Sequence, residues 1–140
     1  SLAFSPDNHS LISGFEDETA IIWDAQTGAC LHSFDIEGNI DQVAFSPNGS
    51  HIYINANNSC SIYETQNYRC ISELRHHDKE YCELSVSRQG DRIATASMDD
   101  QVKIWSAVTG EELLTIDHPG KLSYSVTFSP DGSEVLAACD

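Results

Sequence analysis

CELSVSRQGDRIATASMDDQVKIWSAVTGEELLTI, from Cys82 to Ile116, is the stretch whose reading decides the fold. Its apolar residues fall into four short runs: Cys82 to Ser87, Arg92 to Ala96, Gln101 to Ser106 and Glu112 to Ile116. Turn-forming triplets divide them at Arg88-Gln89-Gly90, Met98-Asp99-Asp100 and Val108-Thr109-Gly110, where Gly90 and Gly110 supply the positive φ such turns need. None of the runs carries the sustained i, i+3, i+4 spacing of a helix. The stretch therefore reads as one four-stranded antiparallel unit.

Working outward, the unit recurs. FSPDN at Phe4 returns as FSPNG at Phe45, VSRQG at Val86 and FSPDG at Phe128, at intervals of 41, 41 and 42 residues. IIWDAQTG around Trp23 returns as SIYETQN around Tyr63 and KIWSAVTG around Trp105, at intervals of 40 and 42. Two phrases sharing one period divide the chain into units 1–36, 37–75 and 76–117 and a half unit 118–140. In the innermost run of each unit, alternation puts Val43 with Phe45, Leu84 with Val86, and Val126 with Phe128 on one face. A four-stranded sheet can bury such a face only against a neighbouring sheet, so the units must stack.

Composition agrees with a packed core, at 40% hydrophobic and 21% charged residues. Seven Lys and Arg against 22 Asp and Glu give a net charge of −15, which repels phosphate backbones and anionic lipids, so nucleic acid and membranes are not expected partners. Five cysteines, Cys30, Cys60, Cys70, Cys82 and Cys139, are odd in number and lack C-x-x-C spacing; reduced, mostly buried thiols are expected. Three stretches match the N-x-S glycosylation pattern, beginning at Asn8, Asn48 and Asn57, but each lies where Asn and Ser form turns anyway. With no basic start and apolar run at the N-terminus and no long apolar segment, an intracellular setting, cytoplasmic or nuclear, is expected.

The period, the F-S-P-D-G phrase and the acidic turn six residues before Trp-Asp resemble the WD-repeat (WD40) β-propeller family, over essentially the whole chain. The resemblance implies an all-β fold of about three and a half four-stranded blades, an open arc from a ring of typically seven. It also implies a buried set of His, hydroxyl, Asp and Trp in each blade, because a buried indole N–H requires an acceptor. Carried over residue by residue, His77, Thr95, Asp99 and Trp105 match it in the third unit, although His76 stands where Gly is usual. In the first unit Ser13, Asp17 and Trp23 match. The second departs, with Glu37-Gly38 for Gly-His, Tyr53 at the hydroxyl position, Asn57 for the acid and Tyr63-Glu64 for Trp-Asp. In the fourth, His118 is a stand-in for the family His.

Asp99 beside His77 would suit proton transfer, but a His and an Asp recurring in register with Trp are read as structural, and no catalytic site is expected. His76-His77-Asp78 cannot easily share one metal ion, since adjacent side chains of an extended segment point to opposite sides. No phosphate-binding loop, nucleophile elbow or H-E-x-x-H helix is present, and neither metal nor cofactor is expected. Cys30 and Cys70, seven residues after the aromatic, are assigned to packing at the start of an outer strand.

The expected function is a non-catalytic scaffold or adaptor that binds other proteins. The alternative is a regulatory or targeting propeller of a larger enzyme whose catalytic domain lies outside this chain. A ubiquitin-ligase receptor is not favoured, because Trp23-Asp24-Ala25-Gln26 lacks the Arg of W-D-x-R and Ser106 follows Trp105. The family's usual binding face maps to Phe15, Glu16, Glu18, Asn39, Asp41, Asn58, Glu80, Tyr81, Met98, Asp100, Lys121 and Tyr124. Acids around a few aromatics would suit a basic peptide or protein segment. An arc of three and a half blades leaves apolar faces open, so it is expected to belong to a longer chain or an assembly that covers them.

Overall fold

A computed structural model describes the chain except for Asn58, His76, Asp78, Glu80, Tyr81, residues 119–122 and Asp140, and for Arg75 and Cys82 only the backbone is described. Fourteen strands run in chain order among the described residues. Strands β1 (Leu2–Phe4), β2 (Ser10–Gly14), β3 (Thr19–Asp24) and β4 (Cys30–Asp35) form the first sheet, and β5 (Ile40–Phe45), β6 (His51–Ala56), β7 (Ser59–Glu64) and β8 (Cys70–Arg75) the second. The third comprises β9 (Cys82–Val86), β10 (Arg92–Ser97), β11 (Gln101–Ser106) and β12 (Glu112–Asp117), followed by the pair β13 (Ser123–Phe128) and β14 (Val135–Cys139). Each sheet is an antiparallel meander with sequential strand order. The four strands read from Cys82 to Ile116 all form, with ends within one residue of those expected.

The sheets stack through their inner strands, and the alternation explains how. Val43, with Phe45 against it, joins Ile12, Ala20, Ile22 and Phe34 in the core between the first and second sheets. Leu84 and Val86 meet Cys60, Ile62 and Leu74 between the second and third. Val126 and Phe128 close on Ala94, Ala96, Val102 and Ile104 between the third and fourth. Each fully buried Ile or Leu in these junctions stabilises the stack by roughly 2 kcal/mol. Leu2 and Phe4, 41 residues before Val43 and Phe45, occupy the same face of the first sheet and are 70% and 62% exposed. The arc is therefore open there.

Side chains also register one sheet on the next. The Gln42 amide donates to the Leu84 carbonyl (3.0 Å) while its oxygen accepts the Leu84 N–H (2.7 Å), imitating one rung of a β ladder. At the same place in the repeat, Ser1 Oγ accepts from Val43 N (3.1 Å) and Glu83 Oε2 from Val126 N (3.0 Å). An inner-edge N–H that lacks a strand partner is thus capped by the preceding sheet. At the opposite ends of the strands the SPDG-type turns stack, so that a Cβ on Gly49 or Gly90 would touch Pro6 or Pro47 of the preceding turn. In the third turn Arg88 stands in place of that proline, and the next residue, Gln89, donates to the Asp131 carbonyl (2.9 Å), while Arg92 donates to the Gly132 carbonyl (2.6 Å).

A bulge recurs where the aromatic of each outer ladder sits: between Ile22 and Trp23, Ile62 and Tyr63, and Ile104 and Trp105. The extra residue on the outer strand is Leu31, Ile71 or Leu113, pushed outward and left 47%, 42% and 54% exposed. The same bulge corrects the expectation of mostly buried thiols. Cys30 and Cys70 pair with the aromatics at the rim and are exposed, whereas Cys60 is buried and Cys139 half-buried. Among the described residues, no further strand lies beyond β4 or β8 in its sheet to cover the first two.

Candidate functional site

The third sheet assembles one closed polar set. Thr95 is on the inner face of β10, Trp105 on β11 ten residues later, Asp99 in the turn between them and His77 in the connection from β8 to β9. His77 Nδ1 lies 2.7 Å from Asp99 Oδ2 and Nε2 lies 3.1 Å from Thr95 Oγ1, while the Trp105 indole N–H donates to the same Oγ1 at 3.0 Å. The carboxylate can only accept, so Nδ1 carries the proton. In the neutral ring Nε2 then accepts the Thr95 hydroxyl proton, leaving an oxygen lone pair for the indole. Asp99 Oδ1 meanwhile accepts from Gln101 N (3.2 Å), fixing the turn. Both imidazole nitrogens are engaged and the ring is buried, so the set is built to hold strands together rather than to meet a substrate.

The first sheet repeats part of this arrangement. The Trp23 indole donates to the buried Ser13 hydroxyl at 2.7 Å. Asp17, which is exposed, accepts from Thr19 N (3.2 Å) and Thr19 Oγ1 (2.6 Å). In the fourth unit His118 is held by its backbone, which donates to the Asp100 carbonyl at 2.7 Å as Ile36 does to Glu18 at 2.8 Å. Among the described residues its ring joins no set like that of His77.

For the second sheet the structure corrects the sequence reading at Tyr53. Ser13 pairs with Ile21, Thr95 with Lys103, and the residue in that place is Ile54, which pairs with Ser61. Tyr53 points the opposite way, into the core facing the third sheet. The hairpin explains the slip: β6 and β7 are joined by residues 57–58, whereas three residues separate β10 from β11 and four separate β2 from β3. Counting ten residues back from the aromatic thus lands one position early. Asn57, with φ at 52°, turns its amide toward the Glu37 carbonyl (3.4 Å) and over Gly38, where any Cβ would overlap it.

What replaces the lost set is an aromatic cluster. Tyr68 stacks on His32 of the preceding sheet (centroids 4.3 Å apart, planes 12° apart), and Phe34 meets His32, Tyr63 and Tyr68. Burial raises the Tyr63 hydroxyl above its ordinary pKa. Tyr68 occupies the place of Gly28 and Gly110 and shares their left-handed backbone, with φ at 58° against 71° and 73°. Sequence reasoning missed Tyr68 and Gln42. Both were visible in the aligned units, as a bulky residue where the other units have Gly and as a polar residue at the inner-strand position also held by Ser1 and Glu83.

The expected binding face falls at the end where β2–β3 turns meet the entries to the inner strands. Backbone bonds join these segments: Gly14 N to Ser1 O (2.9 Å), Asn57 N to Asn39 O (3.3 Å) and the two bonds of Ile36 and His118 above. Phe15 and Tyr124 are 40% and 36% exposed, Glu16, Glu18, Asn39 and Asp41 are exposed, and Met98 and Asp100 half-buried. Asn58, Glu80, Tyr81 and Lys121 lie outside the described residues.

A family model described as WD domain, G-beta repeat, matches residues 1–24 and 68–106. The chain is 27% identical over 98 residues to a guanine nucleotide-binding protein subunit beta of Schizosaccharomyces pombe, covering 69% of this chain and 32% of that protein. It is 26% identical over 156 residues to Protein HIR1 of Phaeosphaeria nodorum, covering 97% of this chain and 15% of that protein. The chain thus spans a third or less of the curated relatives it matches. Residues 25–67, left unmatched between the two matched segments, contain the second sheet's substitutions at Gly38, Ile54, Asn57 and Tyr63.

Proposed function

We propose that this chain, which belongs to the WD40-repeat family, is a non-catalytic protein-binding scaffold whose exposed β2–β3 and inner-strand loops receive a basic segment of a partner protein. The observation that carries the reading is the contrast between frame and loops. Polar groups of the third sheet are closed on one another, whereas Phe15, Tyr124, Glu16, Glu18 and Asp41 project at one end. On a chain of net charge −15, exposed acids speed encounter with a cationic partner, and the exposed aromatics supply apolar contact once it arrives. The G-beta subunit among its relatives accords with a regulatory or scaffolding role. Exposed free thiols at Cys30 and Cys70 suit a reducing setting, the cytoplasm or nucleus.

A lysine-rich amphipathic peptide is the probe. Its affinity for the chain, read by fluorescence anisotropy at low and physiological salt, is expected to weaken about tenfold on replacing Glu16 and Asp41 together by Lys, with the salt dependence flattened. Unchanged affinity at both salt concentrations refutes the assignment of the face.

A further inference from the structure

Asn48-Gly49-Ser50 lies in the β5–β6 turn, at the strand ends opposite the proposed binding face. Its turn matches two others in the chain at the level of single bonds. Asn48 Oδ1 accepts from Ser46 Oγ (2.7 Å), Ser50 N (3.0 Å) and Ser50 Oγ (2.7 Å). Asp131 Oδ1 accepts from Ser129 Oγ (2.6 Å), Ser133 N (3.0 Å) and Ser133 Oγ (2.8 Å). Asp7 Oδ1 accepts from Ser5 Oγ (2.6 Å) and His9 N (3.0 Å). Each socket offers donors to one oxygen, and two of the three hold a carboxylate. Those donors keep the Asp7 and Asp131 carboxyls ionised down to about 2. A charged oxygen is the better acceptor for such donors, so the amide of Asn48 is the weaker occupant of the site.

Of the chain's asparagines, only Asn48 is followed by glycine. Glycine leaves its own amide nitrogen open to approach the preceding side chain, which His9 after Asn8 or Ile40 after Asn39 hinders. We propose that Asn48 is a deamidation site whose aspartate product the fold accepts in the amide's place. The Gly49 nitrogen, losing its proton to base, attacks Asn48 Cγ; the new C–N bond closes a succinimide as the side-chain amide leaves as ammonia. Water then opens the ring. Cleavage of the Cγ–N bond gives aspartate on a normal backbone, and cleavage of the main-chain bond gives isoaspartate, with an extra methylene in the chain.

The closed turn restrains the first step. Gly49 N–H is committed to the Ser46 carbonyl at 2.9 Å and Asn48 Oδ1 to its three donors, so attack requires the turn to open. On reclosing, the two products part. Aspartate restores the bonds seen at Asp131, whereas isoaspartate lengthens a backbone whose Gly49, with φ at 72°, faces Pro6 of the preceding turn closely enough that an added Cβ would come within 3.6 Å of it.

The test incubates the whole chain in mildly alkaline buffer, folded and in concentrated urea, followed by peptide mapping that separates aspartate from isoaspartate. Conversion is expected at Asn48 before any other asparagine, and about tenfold or more slower in the folded chain, since exchange through local opening scales with the open population. The Asn48→Asp variant is expected to unfold at a urea concentration no lower than the parent, and the isoaspartate fraction at a lower one. Absence of conversion in urea on the timescale of a short Asn-Gly control peptide overturns the assignment of the site. Equal folded and unfolded rates overturn the role of the turn, and an Asn48→Asp variant weaker than the parent overturns the carboxylate-shaped socket.

Discussion

Replacing Tyr68 by glycine pits backbone strain against ring contact. A tyrosine at φ 58° is in a conformation that costs a residue with a Cβ about 1 kcal/mol, and glycine at this position removes that cost, as Gly28 and Gly110 do in the neighbouring units. Against it stand the stack on His32 and the edge contact to Phe34, whose centroid is 5.9 Å away, each worth about 0.5–1.5 kcal/mol. The half-buried ring also covers on the order of 80 Å² of apolar surface, about 2 kcal/mol. Ring contact wins, and Tyr68→Gly is expected to destabilise the chain by about 2–4 kcal/mol. Tyr68→Asn, which tolerates the left-handed region without supplying a ring, should lose about as much, and Tyr68→Phe almost nothing. Urea unfolding with unchanged m-values reads all three. A Tyr68→Gly chain at least as stable as the parent refutes the reasoning. The third sheet supports it from within the same molecule: Ser72 stands at the place of His32, and there the partner is Gly110, whose added Cβ would meet Ser72 Oγ. Large pairs with large, and small with small.

Thr95→Val strands the Trp105 indole and His77 Nε2 in a buried site and is expected to cost about 2–4 kcal/mol, whereas Ser13→Ala beside the half-buried Trp23 costs about 1 kcal/mol; urea midpoints compare them. Tyr53 is fully buried with its hydroxyl lacking a partner among the described residues, so Tyr53→Phe should gain about 1 kcal/mol in the same assay. Burial, and secondarily the Cys60 thiol, push that hydroxyl up to about 12. The unfolded chain therefore ionises first, and stability present below its ordinary pKa is lost as pH rises from about 10 through 12; Tyr53→Phe should flatten that alkaline decline in pH-dependent unfolding. Gln42→Leu removes both bonds to the Leu84 backbone, and hydrogen exchange of the Leu84 amide should quicken about tenfold, with Val126, capped by Glu83, unchanged.

The stacking of sheets was legible because it depends on a property a sequence displays directly, the side of a strand on which a residue falls. Val43 and Phe45, or Leu84 and Val86, could occupy no face but the one that meets the preceding sheet. The polar set at His77, Thr95, Asp99 and Trp105 was legible for a related reason: its spacing is imposed by two hairpin-linked strands of fixed register. The same rule misled at Tyr53, because spacing measured along the chain equals spacing across a ladder only while the hairpin keeps its length. Exposure of Cys30 and Cys70 was not legible either. Their residue type suggests burial, and what decides otherwise is a bulge that no local pattern announces.

The three junctions between sheets share a period and differ in how they are fastened. Between the first and second sheets the outer rim is closed by His32, Phe34, Tyr63 and Tyr68. Between the second and third the inner edge is closed by the Gln42 amide, and between the third and fourth by Glu83, Ser85, Gln89 and Arg92 reaching backbone groups 40 to 43 residues on. Apolar alternation is common to all three, so it sets which faces meet; the polar and aromatic contacts sit at edges where each junction can differ without disturbing the next. In a stack where each sheet touches only its neighbours, stability is close to a sum over junctions. The second unit could therefore lose its hydrogen-bonded set and remain in register, because the groups that fasten it belong to its boundaries and not to its interior.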